Sequence, residues 1–213
     1  MPLMPADVSF VVIVPVKPPA RGKSRLDTFS PADRRDLATA FARDTVAAAQ
    51  RTPYVDAVLV VTDDHRFASV LSTDGCEVIP DGVSNDLNAT LRQAAAECVR
   101  RWPSAVPVAL CADLPCLVSD DLAAALAQAQ GPSFVRDADG TGTTLYAAPY
   151  GEFDPSFGDS SADLHLLRGA DEIAVPAPSL RLDVDDPADL AEALLLGVGP
   201  HTAQAWARTE HLT

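Results

Sequence analysis

Phe10-Val11-Val12-Ile13-Val14 is an unbroken apolar run, mostly β-branched, and Ser30-Pro31-Ala32-Asp33 follows it with an N-cap, a proline at the first helical position and an acid in the first turn. The run reads as a strand covered on both faces, and the tetrapeptide reads as the start of a helix. That helix is predicted to reach about Arg51, with Leu37, Ala40, Phe41 and Val46 along one face. The alternation then repeats. Residues 58–61 read as a second strand, 67–71 as a short helix and 77–79 as a third strand. Residues 87–101 read as a helix with Leu87, Leu91, Ala94, Ala95 and Cys98 on one side. Residues 106–110 give a fourth strand, followed by a helix capped by Ser119 and running to about Gln130. Strand–helix alternation at this spacing implies a mostly parallel sheet with helices on both faces.

After Gly131 the pattern changes. Two short strands, 134–136 and 144–147, flank the turn Asp137-Ala138-Asp139-Gly140, and a loop rich in Gly, Pro and Phe leads to a helix over 161–168. Residues 180–184 are expected to be a last strand, and Asp186-Pro187-Ala188-Asp189 caps a closing helix. Periodicity is weak beyond Gly197, which predicts a loosely ordered tail. With no repeat, low-complexity tract or linker, residues 1–213 read as a single domain, its core spanning about 8–197 and its tail 198–213.

Sixteen Lys+Arg against 30 Asp+Glu leave a formal charge of −14. That balance rules out a large basic surface for nucleic acid. No apolar run approaches the roughly 20 residues that cross a bilayer, so no membrane contact is expected. Residues 1–9 carry Asp7 and two prolines and lack a basic start, so no export signal is expected. Cys76, Cys98, Cys111 and Cys116 form no CxxC pair and have no His at ligand spacing, as expected of reduced thiols in a cytoplasmic protein.

In open α/β sheets, ligands bind beyond the carboxyl ends of the strands. Beyond the first strand, residues 15–26 hold both lysines of the chain, Lys17 and Lys23, together with Arg21 and Arg25. In so acidic a chain this is a local reversal of sign, suited to a polyphosphate. Gly22-Lys23-Ser24 is not a P-loop, because position 17 is Lys where that motif needs Gly. The GxGxxG dinucleotide fingerprint is absent as well. Beyond the fourth strand stands Asp113, and in Asp183-Val184-Asp185 two carboxylates lie two residues apart, on one side of an extended segment. Such oxygen ligands suit Mg²⁺, which is usually held by one or two carboxylates plus substrate phosphates. Asp186 reads as the helix cap. Gly158 allows close backbone approach, and Ser161 begins a helix whose free N–H groups suit an anion; the turn 137–144, with its Gly and Thr residues, offers a similar cradle.

Several stretches taken together resemble the guanylyltransferases of deazaflavin (coenzyme F-420) biosynthesis. They are Val14-Pro15-Val16-Lys17 with Lys23-Ser24-Arg25-Leu26, Asn85-Asp86-Leu87-Asn88, Ala112-Asp113-Leu114-Pro115, Gly140-Thr141-Gly142-Thr143-Thr144-Leu145, Phe157-Gly158 with Ser161 and His165, and Leu182-Asp183-Val184-Asp185 with Pro187, Asp189 and Leu190. The resemblance implies a single-domain nucleotidyltransferase of glycosyltransferase-A-like, Rossmann-like α/β fold, with a mostly parallel, mixed central sheet. It implies transfer of GMP from GTP to phosphoenolpyruvate or 2-phospho-L-lactate, with pyrophosphate released and the product passed to a downstream deazaflavin transferase. GTP would meet Pro15, Lys17, Lys23, Arg25, Asn85 and Asn88, with Lys17, Lys23 and Asp113 catalytic. Asp113, Asp183 and Asp185 would hold Mg²⁺, and the acid's carboxylate would meet Thr143, Gly158 and Ser161. Asp86 departs from the family pattern, where glycine is expected. The high ratio of Arg to Lys and the abundance of Ala suggest a source rich in G+C, which favours phosphoenolpyruvate. Two other readings fit the same residues: a sugar-nucleotide glycosyltransferase using Asp183-Val184-Asp185 as its metal motif, and a regulatory domain that binds GTP without turnover.

Overall fold

The computed structural model describes residues 8–16, 26, 28–83 and 86–210. The strands expected first are β1 (Ser9–Pro15), β2 (Val55–Val61), β3 (Glu77–Ile79) and β4 (Ala105–Leu110); then come β5 (Ser133–Arg136), β6 (Thr143–Ala147) and β7 (Asp171–Glu172). They form one sheet in the order β3-β2-β1-β4-β6-β5-β7. β1 pairs in parallel with β2 and β4, whereas β6 runs antiparallel to both β4 and β5. The helices are α1 (Pro31–Gln50), α2 (His65–Thr73), α3 (Leu87–Arg101), α4 (Ser119–Leu126), α5 (Ser161–Leu167), α6 (Pro178–Arg181), α7 (Pro187–Leu196) and α8 (Pro200–Glu210).

The two-residue period of β1 divides the core between the two sheet faces. Val12 and Val14 pack with Ala42, Val46 and Ala49 of α1, and Val11 and Ile13 pack with Leu91, Ala94 and Cys98 of α3. A strand apolar at every position thus needs a helix on each side, as the opening run implied. Cys76, Cys98 and Cys116 are buried free thiols, and burial pushes Cys98 up to about 12. Among the described residues no helix is long and apolar enough to cross a membrane.

Three expectations are corrected. Residues 180–184 are not a strand: α6 ends at Arg181, and the chain then continues as irregular backbone without joining the sheet, whose seventh strand is β7. Ser119 is not a cap. It is the first residue of α4, the N-cap is Val118, and α4 stops at Leu126 rather than near Gln130. That end is tied instead through Ser179, whose Oγ accepts from Val118 N–H and donates to Asp121.

The tail beyond Gly197 is also not loose. It forms α8, which packs on α1 with Thr202 and Ala205 buried. Its anchor is Asp44 in α1, 4% exposed, whose two oxygens accept from His201 N–H at 3.1 Å and Thr202 N–H at 2.7 Å. A Cβ at Gly199 would stand 2.3 Å from the Asp44 carboxyl carbon, so glycine is required there. Asp44→Ala leaves two helix-start donors without their acceptor, at a cost of about 2 kcal/mol. We expect the melting temperature to fall by about 4–8 °C, which thermal denaturation by circular dichroism would measure.

Candidate active site

Because β6 runs antiparallel, its first residue lies beside the carboxyl end of β4, where Cys111 N–H donates to Thr144 O at 2.8 Å. Thr143 therefore reaches the ligand-binding edge of the sheet, although the strand predicted from sequence began one residue later. It lines a cavity of about 400 Å³ together with Gly158, Ser161, Asp137, Asp183 and Asp185. The three residues expected to hold a small acid and two of the expected metal ligands share one cavity.

The turn 137–142 is folded by its own first side chain. Asp137 accepts from Thr141 N–H at 2.9 Å and from Gly142 N–H at 2.8 Å, one on each oxygen. Both carboxylate oxygens are thus engaged by the turn itself. A Cβ at Gly142 would fall 2.2 Å from that carboxylate, which is the physical reason for glycine at this position.

Gly158 has φ +132° and the next turn ends at Ser160 with φ +53°. The loop before it is clipped to α3 by Asn88. This amide donates to Phe157 O at 2.9 Å and accepts from Phe157 N–H at 2.8 Å. Asn88, expected at GTP, here positions the backbone just before Gly158. Asp86, the departure from the family pattern, is the N-cap of α3 and accepts from Ala89 N–H.

The expected use of free N–H groups at the start of α5 needs correction. Ser161 N–H donates to Gly158 O and Ala162 N–H to Thr141 O, both at 3.2 Å, so these donors are spent within the chain. α5 begins at Ser161 as expected, and its N-cap, Ser160, makes no side-chain capping bond. Ser161, 1% exposed, sends its Oγ to Thr143 Oγ1 at 3.1 Å. Hydroxyls, rather than a helix terminus, face the cavity from this wall. Thr143 Oγ1 lies 3.0 Å from His165 Nδ1, and His165 Nε2 accepts from Ser156 N–H at 2.9 Å. The ring is fully buried, stacked on Tyr146 and Phe134 with Phe157 edge-on. In the sequence His165 stands in the Phe157–His165 motif with no role evident from residue type alone. The signal was its spacing, since Ser161 and His165 stand four residues apart on one helix face.

The opposite wall is acidic. Val184 N–H donates to Asp113 O at 3.0 Å, which fastens the segment after α6 to the loop beyond β4. Val184 is buried and its neighbours Asp183 and Asp185 line the cavity, as the alternation predicted, although no strand forms. The Asp183 carboxyl is pushed up to about 7, first by burial, then by the charge of Asp113, with Asp185 and Asp137 adding to it. Asp186 caps α7 in a reciprocal capping box with Asp189, as expected. Among the described residues no three Asp, Glu, His or Cys side chains are arranged to hold a metal ion, so Asp113, Asp183 and Asp185 do not form a ready-made three-carboxylate site. The donors are nonetheless all oxygen, and the crowding that raises Asp183 is what a hard cation relieves. Of the expected GTP residues, Pro15 closes β1, pointing the chain toward this edge. Lys17, Lys23, Arg25 and Asn85 lie outside the described residues.

Residues 10–209 match the family model described as "Guanylyl transferase CofC like". A Thermomonospora curvata protein named phosphoenolpyruvate guanylyltransferase is 46% identical over 207 residues, covering 95% of this chain and 91% of its own length. One of the same name from Streptomyces coelicolor is 47% identical over 206 residues, covering 94% and 97%. Among solved structures, a 4-diphosphocytidyl-2C-methyl-D-erythritol synthase superposes with a TM-score of 0.59 at 16% identity, covering 88% of this chain and 98% of its own. A Mycobacterium tuberculosis protein solved in complex with manganese superposes at 0.56 with 23% identity, covering 88% and 99%. These two likenesses show the fold.

Proposed function

The chain belongs to the CofC-like guanylyl transferase family, and from that premise we propose that it transfers GMP from GTP to phosphoenolpyruvate, giving enolpyruvyl-diphospho-guanosine and pyrophosphate. The observation that carries this reading is the cavity itself, with a buried hydroxyl pair, Thr143 and Ser161, on one wall and the carboxylates Asp183 and Asp185 on the other. One wall offers donors to a small organic acid; the other offers oxygen ligands to a cation travelling with phosphates.

A phosphate oxygen of phosphoenolpyruvate forms a bond to the α-phosphorus of GTP as the bond to pyrophosphate breaks. No general base is needed, because a phosphomonoester with a second pKa near 6 is largely dianionic at neutral pH. The chain's work is positioning and charge neutralisation. Thr143 and Ser161 orient the acid by its carboxylate, and Gly158 lets that group approach the backbone. Lys17, Lys23 and Arg25 would supply the positive charge that the triphosphate needs. Asp183 and Asp185, with Asp113 beside them, would hold a divalent cation, Mg²⁺ in this proposal, jointly with substrate phosphates. When bound, that ion supplies charge neutralisation for the triphosphate and the departing pyrophosphate. The setting we propose is cytoplasmic, with the product passed to a downstream deazaflavin transferase.

The acid site is tested by Ser161→Ala. A hydrogen bond to a charged group contributes roughly 1.5–3 kcal/mol, or about 10- to 150-fold in affinity. We expect KM for phosphoenolpyruvate to rise within that range and KM for GTP to stay level in steady-state kinetics. An unchanged KM for the acid would remove Ser161 from its site.

A further inference from the structure

The hydrogen-bond chain behind the hydroxyl pair has a direction, and one buried histidine sets it. A backbone N–H can only donate, so the 2.9 Å contact from Ser156 N makes His165 Nε2 an acceptor. In a neutral imidazole the other nitrogen then carries the proton. His165 Nδ1 is therefore the donor in its 3.0 Å contact with Thr143 Oγ1. Burial, followed by the nearby charge of Arg168, pushes His165 down to about 4, so the ring is neutral at physiological pH.

Counting hydrogens along the chain gives its polarity. Thr143 and Ser161 together own two hydroxyl hydrogens, and the 3.1 Å contact between them uses one. Thr143 Oγ1 already accepts from the ring, so the ring offers no acceptor for the second. Both hydroxyls are buried, at 6% and 1% exposure, and both line the cavity. Among the described contacts, no other group of the chain accepts that second hydrogen.

We infer that His165 is a positioning residue, held by Ser156 N–H as the Nδ1–H tautomer so that the Thr143–Ser161 pair presents an outward O–H donor reserved for an anionic oxygen of the small acid. The opposite tautomer would require a proton where Ser156 already points one. Were Nδ1 the acceptor, the pair's spare hydrogen would turn inward to it, and the cavity would meet the substrate with lone pairs that repel a carboxylate. The inference rests on the proposed acid site at Thr143 and Ser161 and assigns what gives that site its sign.

Two measurements test it, each on the full-length protein. In two-bond ¹H–¹⁵N spectra of histidine-labelled wild type, with His165 assigned by the loss of its signals in His165→Phe or His165→Asn, we expect a protonated-type Nδ1 and an unprotonated-type Nε2. The reverse pattern overturns the inference whatever the variants do. In kinetics, His165→Phe keeps a flat ring but offers no donor, and we expect KM for phosphoenolpyruvate to rise at least 10-fold while KM for GTP stays level. His165→Asn places an amide nitrogen close to the Nδ1 position, and it should recover most of that loss. A folded His165→Phe protein with wild-type KM for the acid contradicts the inference. If His165→Phe does not fold, the spectra and the Asn variant decide: a 10-fold or greater rise with Asn as well, with a normal circular dichroism spectrum, counts against it. Should Ser161→Ala leave the acid's KM unchanged, the acid site itself has failed. Should Ser161→Ala raise it and a folded His165→Phe not, only the role of His165 has failed.

Discussion

Asp183→Asn is expected to abolish metal-dependent turnover while leaving the metal-free protein as stable as the parent, or more so. The amide keeps the shape and removes the charge that holds a divalent ion. Its effect on stability follows from the direction of the shift. The Asp183 carboxyl lies near 7 in the folded protein against an ordinary 3.8, raised first by burial and then by Asp113. Between those values the folded state holds a proton that the unfolded chain has lost. The stabilisation tied to this group is therefore complete below about pH 4 and is lost as pH rises through about 7. A difference of that size corresponds to up to about 4 kcal/mol; with solvent screening at a half-buried group, about 2 kcal/mol is expected, or about 4–8 °C. Melting curves of metal-free protein from pH 5 to 8.5 should fall with pH in the parent and flatten in Asp183→Asn. A variant that melts well below the parent at pH 8 would make Asp183 a structural cap instead.

Gly158→Ala is expected to reduce kcat/KM for phosphoenolpyruvate more than Ser161→Ala does, although it removes no donor. Two causes act together. The backbone at φ +132° is one that a residue with a side chain rarely adopts. Within the protein a Cβ at this position would meet nothing inside 4 Å, so it would project into space that Gly158 shares with the cavity. The strain shifts the loop that Asn88 holds, and the methyl group takes room assigned to the acid. A loss of 100-fold or more in kcat/KM for the acid is expected, which is about 2.7 kcal/mol. An Ala variant with full activity would show that the acid does not approach this backbone.

The sheet was legible because its signal is local. Five apolar residues in β1 demand cover on both faces, and Ser30-Pro31 starts the covering helix within one turn. The errors arise where distant contacts decide the outcome. Residues 180–184 alternate like a strand, yet Val184 makes a single backbone bond to Asp113 rather than a ladder. The alternation still placed Asp183 and Asp185 on one side, so that part of the site survived the wrong element. Helix α8 is amphipathic, but its start depends on Asp44, 157 residues earlier in the chain than His201. No local reading of residues 198–213 contains that anchor. At the site, residue types identified Thr143, Gly158 and Ser161, but not how they are held. Asn88 reaches Phe157 across 69 residues. His165 reaches Thr143 across 22, and these pairings exist only once the sheet has formed.

Pyrophosphate release from GTP, measured with Mg²⁺ and with or without phosphoenolpyruvate or 2-phospho-L-lactate, separates a guanylyltransferase from every other reading. Release is expected to depend on the acid, to be faster with phosphoenolpyruvate, and to yield one enolpyruvyl-diphospho-guanosine per pyrophosphate. GTP that binds without any acid-dependent pyrophosphate would contradict it and leave a nucleotide-binding module, whereas transfer from a nucleotide sugar with no pyrophosphate would point to a glycosyltransferase.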